Sequence, residues 1–305
     1  MTDRQLEYIL AIAKEGNITG AAQKLNISQP SLSNLLAAVE RDIGAKIFDR
    51  SLSPMRLTCE GEKYVQTAEN ILGSLKDLRR QIDDIQDSSQ GRLSLGCGPL
   101  LSPFVIPVIL PALIHQYSGV LYELTEDSPA VLEKQLLSGM LDLIFSGRMI
   151  NHSAVECEPL YREEMLLFAP SGFKPAVLSK TNKKAYPVVR LQSLGKAPFV
   201  LMKPRHQLRI IVERIFSEAR YVPHTILETD SWETCLRITE SGIAFTILPD
   251  ARREIKSEKF QKFSLDGSHY RHTFLCYRKN ARFSKVMTEF IQLAHKLFAP
   301  VPPSP

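Results

Sequence analysis

Between residues 30 and 43 the apolar and polar positions separate by face. Leu32, Leu35, Leu36, Val39 and Ile43 recur at steps of three and four, which predicts a helix with one buried stripe. The other face carries Pro30, Ser33, Asn34, Ala37 and Arg41, and is small and polar. Ser28 is a good N-cap and Pro30 is tolerated in a first turn, so the helix starts at the stretch SQPS. Upstream, Ile18 to Leu25 predicts a short alanine-rich helix, with only Asn26 and Ile27 before the cap. Two helices joined this tightly form a helix-turn-helix pattern whose second member fits a DNA major groove. In that reading Gln29, Ser33 and Asn34 are base-edge or phosphate contacts, flanked by Pro30 and Ser31. An ordinary helical hairpin with a solvated face carries the same local pattern.

After Gly44, AKIFDRSLSPMRLT predicts two short strands with a turn at Ser53-Pro54, a wing whose Arg50 and Arg56 are candidates for the phosphates or the minor groove. Thr58 then caps a long helix running to about Asp87. Its apolar positions Tyr64, Ala68, Ile71, Leu75, Leu78, Ile82 and Ile85 step by four and three without a break, which predicts a coiled-coil seam and hence a dimer. A symmetric dimer presents two recognition helices to two half-sites.

The texture changes beyond the polar stretch 87–92. RLSLGCG, VLYELTED and LDLIFSG read as strands alternating with helices at Ser102–Tyr117 and Ser128–Ser138, a βαβαβ run that predicts a parallel sheet. A second alternation starts near Leu160. EMLLFA, APFVLM, HTILET and GIAFTILP read as strands there, with helices over Gln207–Arg220 and Ser231–Ser241. His272–Tyr277 and Arg282–Phe298 supply a last strand and helix, before a disordered PVPPSP tail.

Composition narrows the classes. A chain of 305 residues, 44% hydrophobic and 23% charged, is ordinary globular material for two or three domains. No apolar run approaches the roughly 18 residues of a membrane span, and the charged start has no signal-peptide pattern, so a cytoplasmic protein with no membrane partner is expected. Cys59, Cys97, Cys157, Cys235 and Cys276 are scattered without paired spacing and are expected to be reduced and apolar, with no metal site and no cofactor. GCGP at 96–99 lacks the glycines of a dinucleotide loop, and no nucleophile motif or P-loop occurs. The net charge of +5 permits a nucleic-acid partner. Residues 1–60 nevertheless carry seven Lys/Arg against seven Asp/Glu, so placement must do what bulk charge does not; residues 251–285 carry ten against three. Arg41, Lys46, Arg50 and Arg56 all follow the start of the second helix.

AAQKLNISQPSLSNLLAAVERDIGAKIFDR, followed by LT-x-x-G at Leu57–Gly61 and a long heptad helix, resembles the LysR-type transcriptional regulators, and the resemblance extends over the whole chain. It implies an α/β protein with an N-terminal all-α winged helix-turn-helix (residues 1–58) and a linker and dimerisation helix (59–87). A two-lobed effector domain like the periplasmic binding proteins follows (88–305), with lobe I at about 91–160 and 268–298 and lobe II at about 161–267. It implies DNA contacts at Gln29, Pro30, Ser33 and Asn34, with Arg50 and Arg56 on the wing. Asn34 departs from the family, which usually carries arginine there, so Arg41, Arg50, Arg56 and avidity are expected to supply affinity. The implied partners are an operator in double-stranded DNA, a small-molecule effector, a second copy with tetramers beyond it, and RNA polymerase.

The resemblance and the rule for open α/β sheets place the effector at the carboxyl ends of the strands between the lobes. Those ends contribute Gly98, Pro99, Leu100, Ser128, Ser146, Met202, Lys203, Asp230 and Thr246, with Trp232 at the edge. Ser102 and Ser128 are expected to cap helices facing the cleft, which favours a carboxylate or other anion, with Lys203, Arg205 or Arg148 adding charge. Two alternatives stay open at this point: a regulator that senses oxidants through Cys97, and a small-molecule binding protein with no DNA role, for which residues 1–87 would have no use.

Overall fold

The computed structural model describes residues 2–51, 54–86, 90–174, 177–179, 184–250, 258–279, 281 and 283–298. The Ser53 turn, residues 87–89, the Ile85 side chain, Arg282 and the tail lie outside the described residues.

Helices α1 (Asp3–Glu15), α2 (Ile18–Lys24) and α3 (Gln29–Ile43) form the N-terminal unit. Each start has a side-chain cap: Thr2 for α1, Asn17 for α2 and Ser28 for α3. Asn26, with φ at 53°, turns the chain between α2 and α3, and Gly44, with φ at 69°, ends α3. Leu32, Leu36 and Val39 are buried against Ile9, Ile12, Ala21 and Ala22, the stripe the pattern predicted. Ile43 is the exception at 40% exposure, because it falls on the last turn beyond the core. Strands β1 (Phe48–Asp49) and β2 (Arg56–Leu57) pair antiparallel as the wing.

Helix α4 (Cys59–Gln86) starts where Thr58 Oγ1 accepts from the Gly61 amide at 2.9 Å. Its seam is divided, which corrects the expectation of one narrow heptad stripe. Val65, Ala68 and Leu72 are buried, and Tyr64, Ala68, Ile71 and Leu72 pack with Leu6 and Leu10 of α1 and with Met140. Val65 and Leu72, outside the a/d positions, widen the stripe into a surface that covers the chain's own α1. Leu75 is half-buried, while Leu78 is 52% exposed and Ile82 44%.

Beyond α4, β3 (Gln90–Cys97), α5 (Ser102–Gln116), β4 (Gly119–Glu126), α6 (Pro129–Ser138) and β5 (Leu143–Ser146) follow the predicted alternation, with β3 paired parallel to both β4 and β5. β3 starts at Gln90, inside the stretch read as linker. Then come β6 (Val155–Pro170), β7 (Val177–Ser179), β8 (Val188–Val189), a 3-10 turn (Leu191–Leu194), β9 (Pro198–Met202), α7 (Gln207–Glu218), β10 (His224–Thr229), α8 (Trp232–Glu240), β11 (Thr246–Pro249), β12 (Phe260–Leu265), β13 (Tyr270–Arg278) and α9 (Lys285–Phe298).

The parallel sheet expected from alternation is a mixed one. The order is β4-β3-β5-β13-β6-β12-β8-β7, with β11 also on β6, and β13 is antiparallel to both its neighbours. β9 and β10 form a separate parallel pair. The sequence split β6 at Leu160, but it is one 16-residue strand. Val155 to Glu164 pair with β13, and Met165 to Pro170 with β11 or β12, so the same strand serves both lobes. Each lobe has its own core, one around Leu95, Ile109, Phe145 and Phe290, the other around Leu167, Phe199, Val212 and Ile247. α9 closes the first with Val286, Met287, Phe290 and Ala294, each worth about 1.5 to 3 kcal/mol for a large apolar side chain and less for alanine.

α4 is docked on lobe I at a glycine pair. A Cβ on Gly73 would stand 1.7 Å from the Ser138 carbonyl oxygen, beside Gly139, whose φ of 83° ends α6. Lys134 and Glu69 pair across the same contact at 3.1 Å. Only glycine permits this approach.

Candidate nucleic-acid interface and effector cleft

The amino end of α3 is open. Gln29, Pro30, Ser31, Asn34 and Arg41 are exposed, while Ser33 is half-buried. Ser28 Oγ accepts from the Ser31 amide at 3.3 Å and lies 2.7 Å from Ser31 Oγ, so the Ser31 hydroxyl is partly engaged by the cap. Arg56 is exposed on β2. Arg50 is not free: its Nη2 is 3.1 Å from Glu40 Oε2, and Lys46 Nζ is 3.0 Å from the same oxygen. Glu40 is almost fully buried, and its Oε1 accepts from the amides of Ile47 and Phe48 at 2.9 and 3.4 Å. Burial alone would raise its pKa, but the Lys46 ammonium, the two amides and the Arg50 charge outweigh it and hold the carboxyl below its ordinary value. One internal carboxylate thus fixes the wing to the end of α3 and seats two cations at the wing's base.

Between the lobes lies a cavity of about 340 Å³. Of the residues expected there, Gly98, Pro99, Leu100, Ser128 and Ser146 line it, together with Leu101, Asp127, Arg205, His206, Leu208, Ile211, Arg271 and Thr273. Three helix starts converge on it, since Leu101, Ser128 and His206 are the N-caps of α5, α6 and α7 and none gives its helix a side-chain cap bond. Positive ends of helix dipoles therefore face one space. A wider gap of about 730 Å³ opens beside the contact of α1 and α4 with lobe I, but charged side chains such as Asp3, Glu7, Lys14 and Lys76 border it.

Several expected cleft residues stand elsewhere. Ser102 is buried in the first turn of α5 and is not its cap, because the Leu101 amide turns back to the Gly98 carbonyl and moves the helix start by one residue. Met202 and Thr246 are in the lobe II interior. Trp232 packs on Phe104 of α5, ring centroids 5.0 Å apart, as an aromatic contact between lobes. Lys203, Arg205 and His206 gather on Asp230 at 2.8 to 2.9 Å at the rim. Hydrogen bonds from Lys203 and His206, with the Arg205 charge, hold that carboxyl far below the usual range. Two permanent cations against one anion leave a positive surplus. Arg148 is spent on Glu133 at 2.7 Å.

Sequence reasoning missed Arg271. Arg271 lines the cavity, and its guanidinium pairs with Glu163, Nε to Oε2 at 2.8 Å, across the β6–β13 register. They stand 108 positions apart in sequence, which leaves no local signal. Cys97 is fully buried, and burial together with Glu126 pushes its thiol far above the ordinary range, which removes the reactivity that an oxidant sensor at this position needs.

Two family descriptions match. Residues 4–62 fit "Bacterial regulatory helix-turn-helix protein, lysR family", and residues 86–299 fit "LysR substrate binding domain". The regulator YcgK of Bacillus subtilis, described as uncharacterized, is 28% identical over 309 residues, covering 97% of this chain and 94% of that protein. BsdA of the same organism is 27% identical over 259 residues, 82% of this chain and 84% of that protein. The dual regulator OxyR of Escherichia coli is 26% identical over 249 residues, 82% and 79% respectively. Among solved structures, CbnR shares the fold with a TM-score of 0.67 at 21% identity over 98% of this chain and 99% of that one. A full-length OxyR variant from Pseudomonas aeruginosa gives 0.67 at 23% identity over 99% and 96%. No helix among the described residues is long and apolar enough to cross a membrane. With a winged helix-turn-helix at one end and a two-lobed binding domain behind it, both matched over their length, the chain belongs to the LysR family of DNA-binding transcriptional regulators.

Proposed function

We propose that this regulator is switched by an anionic small molecule, with a carboxylate as the simplest case, held in the cleft between its lobes. The observation that carries this is the convergence of the helix starts of α5, α6 and α7 on one cavity, beside the cationic surplus at Asp230. A ligand touching both lobes favours one lobe orientation, and α4 passes that preference to α3. A thermal-shift screen of carboxylates, phosphates and neutral analogues on the full chain tests it, because a ligand of the folded state raises the melting temperature. Stabilisation by neutral compounds alone would sink the anionic reading.

On the DNA side, Gln29 and Asn34 read base edges while Ser31, Arg41 and Arg56 hold phosphates. Alanine at Gln29 or Asn34 is expected to weaken binding to a selected operator by about 1 to 3 kcal/mol, with less effect on random DNA. Arg56→Ala is expected to lower both affinities and to flatten the salt dependence by about one unit of slope. Arg50, held by Glu40, serves the wing first and the phosphate second. Competition titrations at several salt concentrations separate these outcomes, and equal losses on both DNAs would remove the base-reading role.

The open end of α4 fits self-association into dimers and then tetramers, with the family's reliance on RNA polymerase as a further contact and the cytoplasm as the place of work. Leu78→Asp puts a charge on the exposed apolar row with Ile82 and is expected to shift sedimentation toward monomer without unfolding the chain. An unaltered dimer would move the interface away from this helix.

A further inference from the structure

Cys157 and Cys276, separated by 119 residues, are brought face to face. They are directly opposed partners in the β6–β13 pairing, and their Sγ atoms stand 2.7 Å apart. Closing that gap to a disulfide of about 2.05 Å needs a movement of less than about 1 Å. We propose that the pair is an oxidisable dithiol, converted by a hydroperoxide into a reversible cross-strand disulfide.

The two sulfurs differ as such a pair requires. Cys157 is half-buried and the more accessible of the two, its Sγ accepting from the Ile150 amide at 3.4 Å and donating to the Ile150 carbonyl at 4.0 Å. Cys276 is fully buried, and burial, the neighbouring Cys157 and the Glu133 charge push its thiol far above the ordinary range. Cys157 is therefore the attacking group. Its thiolate takes the outer oxygen of the hydroperoxide, so an S–O bond forms, the O–O bond breaks and the alcohol leaves with a proton. Cys276 sulfur then displaces hydroxide from the Cys157 sulfenic acid, and the Cys276 proton leaves in the water. Two electrons pass from the thiols to the peroxide. The remaining cysteines have no such arrangement, with Cys59 exposed and Cys97 and Cys235 buried apart.

The location gives the bond a consequence. Cys276 packs with Leu132 and Ile144, which also line the cleft, and the β6–β13 register shifts between Thr273 and Phe274, close to the level of the cavity. A covalent tie on the lobe I side of that irregularity stiffens the strand pair shared by the lobes, so oxidation and ligand occupancy act on one hinge.

The test uses full-length reduced protein and tert-butyl hydroperoxide, followed by denaturation, alkylation and mass analysis. The expected result is protection of two of the five cysteines, a peptide linking 157 to 276, and full reversal by dithiothreitol. Cys276→Ala should leave a sulfenic acid on Cys157 that dimedone traps, and Cys157→Ser should yield no link. Five alkylated cysteines after excess oxidant, or a link through Cys59, Cys97 or Cys235, would overturn the proposal. Wild-type protein alone decides this, so a poorly folding variant does not obscure the answer.

Discussion

Gly61→Ala will destabilise the DNA-binding unit by about 3 kcal/mol, at the upper end of overpacking costs, and will abolish operator binding at temperatures where the effector lobes remain folded. The first turn of α4 lies directly on the Ile47 backbone, and a Cβ at Gly61 would stand 2.0 Å from the Ile47 oxygen. That oxygen also accepts from the Thr58 amide at 3.0 Å, so it has no freedom to move away. Ile47 itself is fully buried in the helix-turn-helix core. Relief therefore means lifting α4 off the wing. The sole tryptophan, Trp232, is in lobe II and does not report on this event. Hydrogen exchange of the α3 amides does, and unchanged protection there would show that the contact yields at little cost.

Glu40→Ala is expected to cost a comparable amount, about 3 kcal/mol, for a different reason. The amides of Ile47 and Phe48 lose their buried acceptor, at about 1 to 3 kcal/mol for each orphaned group, while Lys46 and Arg50 are exposed enough to rehydrate. The sign of the pH dependence follows from the depressed carboxyl. A folded-state pKa below the unfolded value near 4.5 gives stability that is fully present above about pH 4.5 and is lost as pH falls through the folded value. Glu40→Gln retains an acceptor, so it is expected to lose less at pH 7 and to show a shallower acid limb than wild type. Parallel acid limbs for the two proteins would mean that Glu40 has no part in acid unfolding.

What the sequence made legible was local. Ser28, Pro30 and Gly44 punctuate α3 within a few residues of the stripe they bracket, and the structure places each in that role. The same economy failed where partners are distant. Glu40 counted as one acid among seven near the DNA, and nothing in its neighbourhood marked it as an internal anchor for residues six to ten positions away. Arg271 and Glu163 meet only because β13 returns beside β6. Serine ordinarily caps helices, which points to Ser102, whereas the Gly98–Leu101 turn places Leu101 at that position. β12 passed unnoticed since Gln261 and Lys262 interrupt its apolar residues in a stretch dominated by charge.

The place of β13 between β5 and β6 governs how the chain can be made. Lobe I takes Leu275, Tyr277, Met287 and Phe290 from the far end of the sequence, so its core stays unfinished until the roughly 100 residues between Pro170 and Tyr270 have left the ribosome. At about 5 to 20 residues per second, the facing edges of β5 and β6 wait on the order of 5 to 20 s without their partner, open to chaperones and to aggregation. The winged helix-turn-helix has its own core around Ile9, Ile12, Leu32 and Leu36, needs beyond it chiefly the first half of α4 to cover α1, and is complete long before. A chain cut short during translation would carry a finished DNA reader with no finished sensor, able to occupy operators and deaf to any signal.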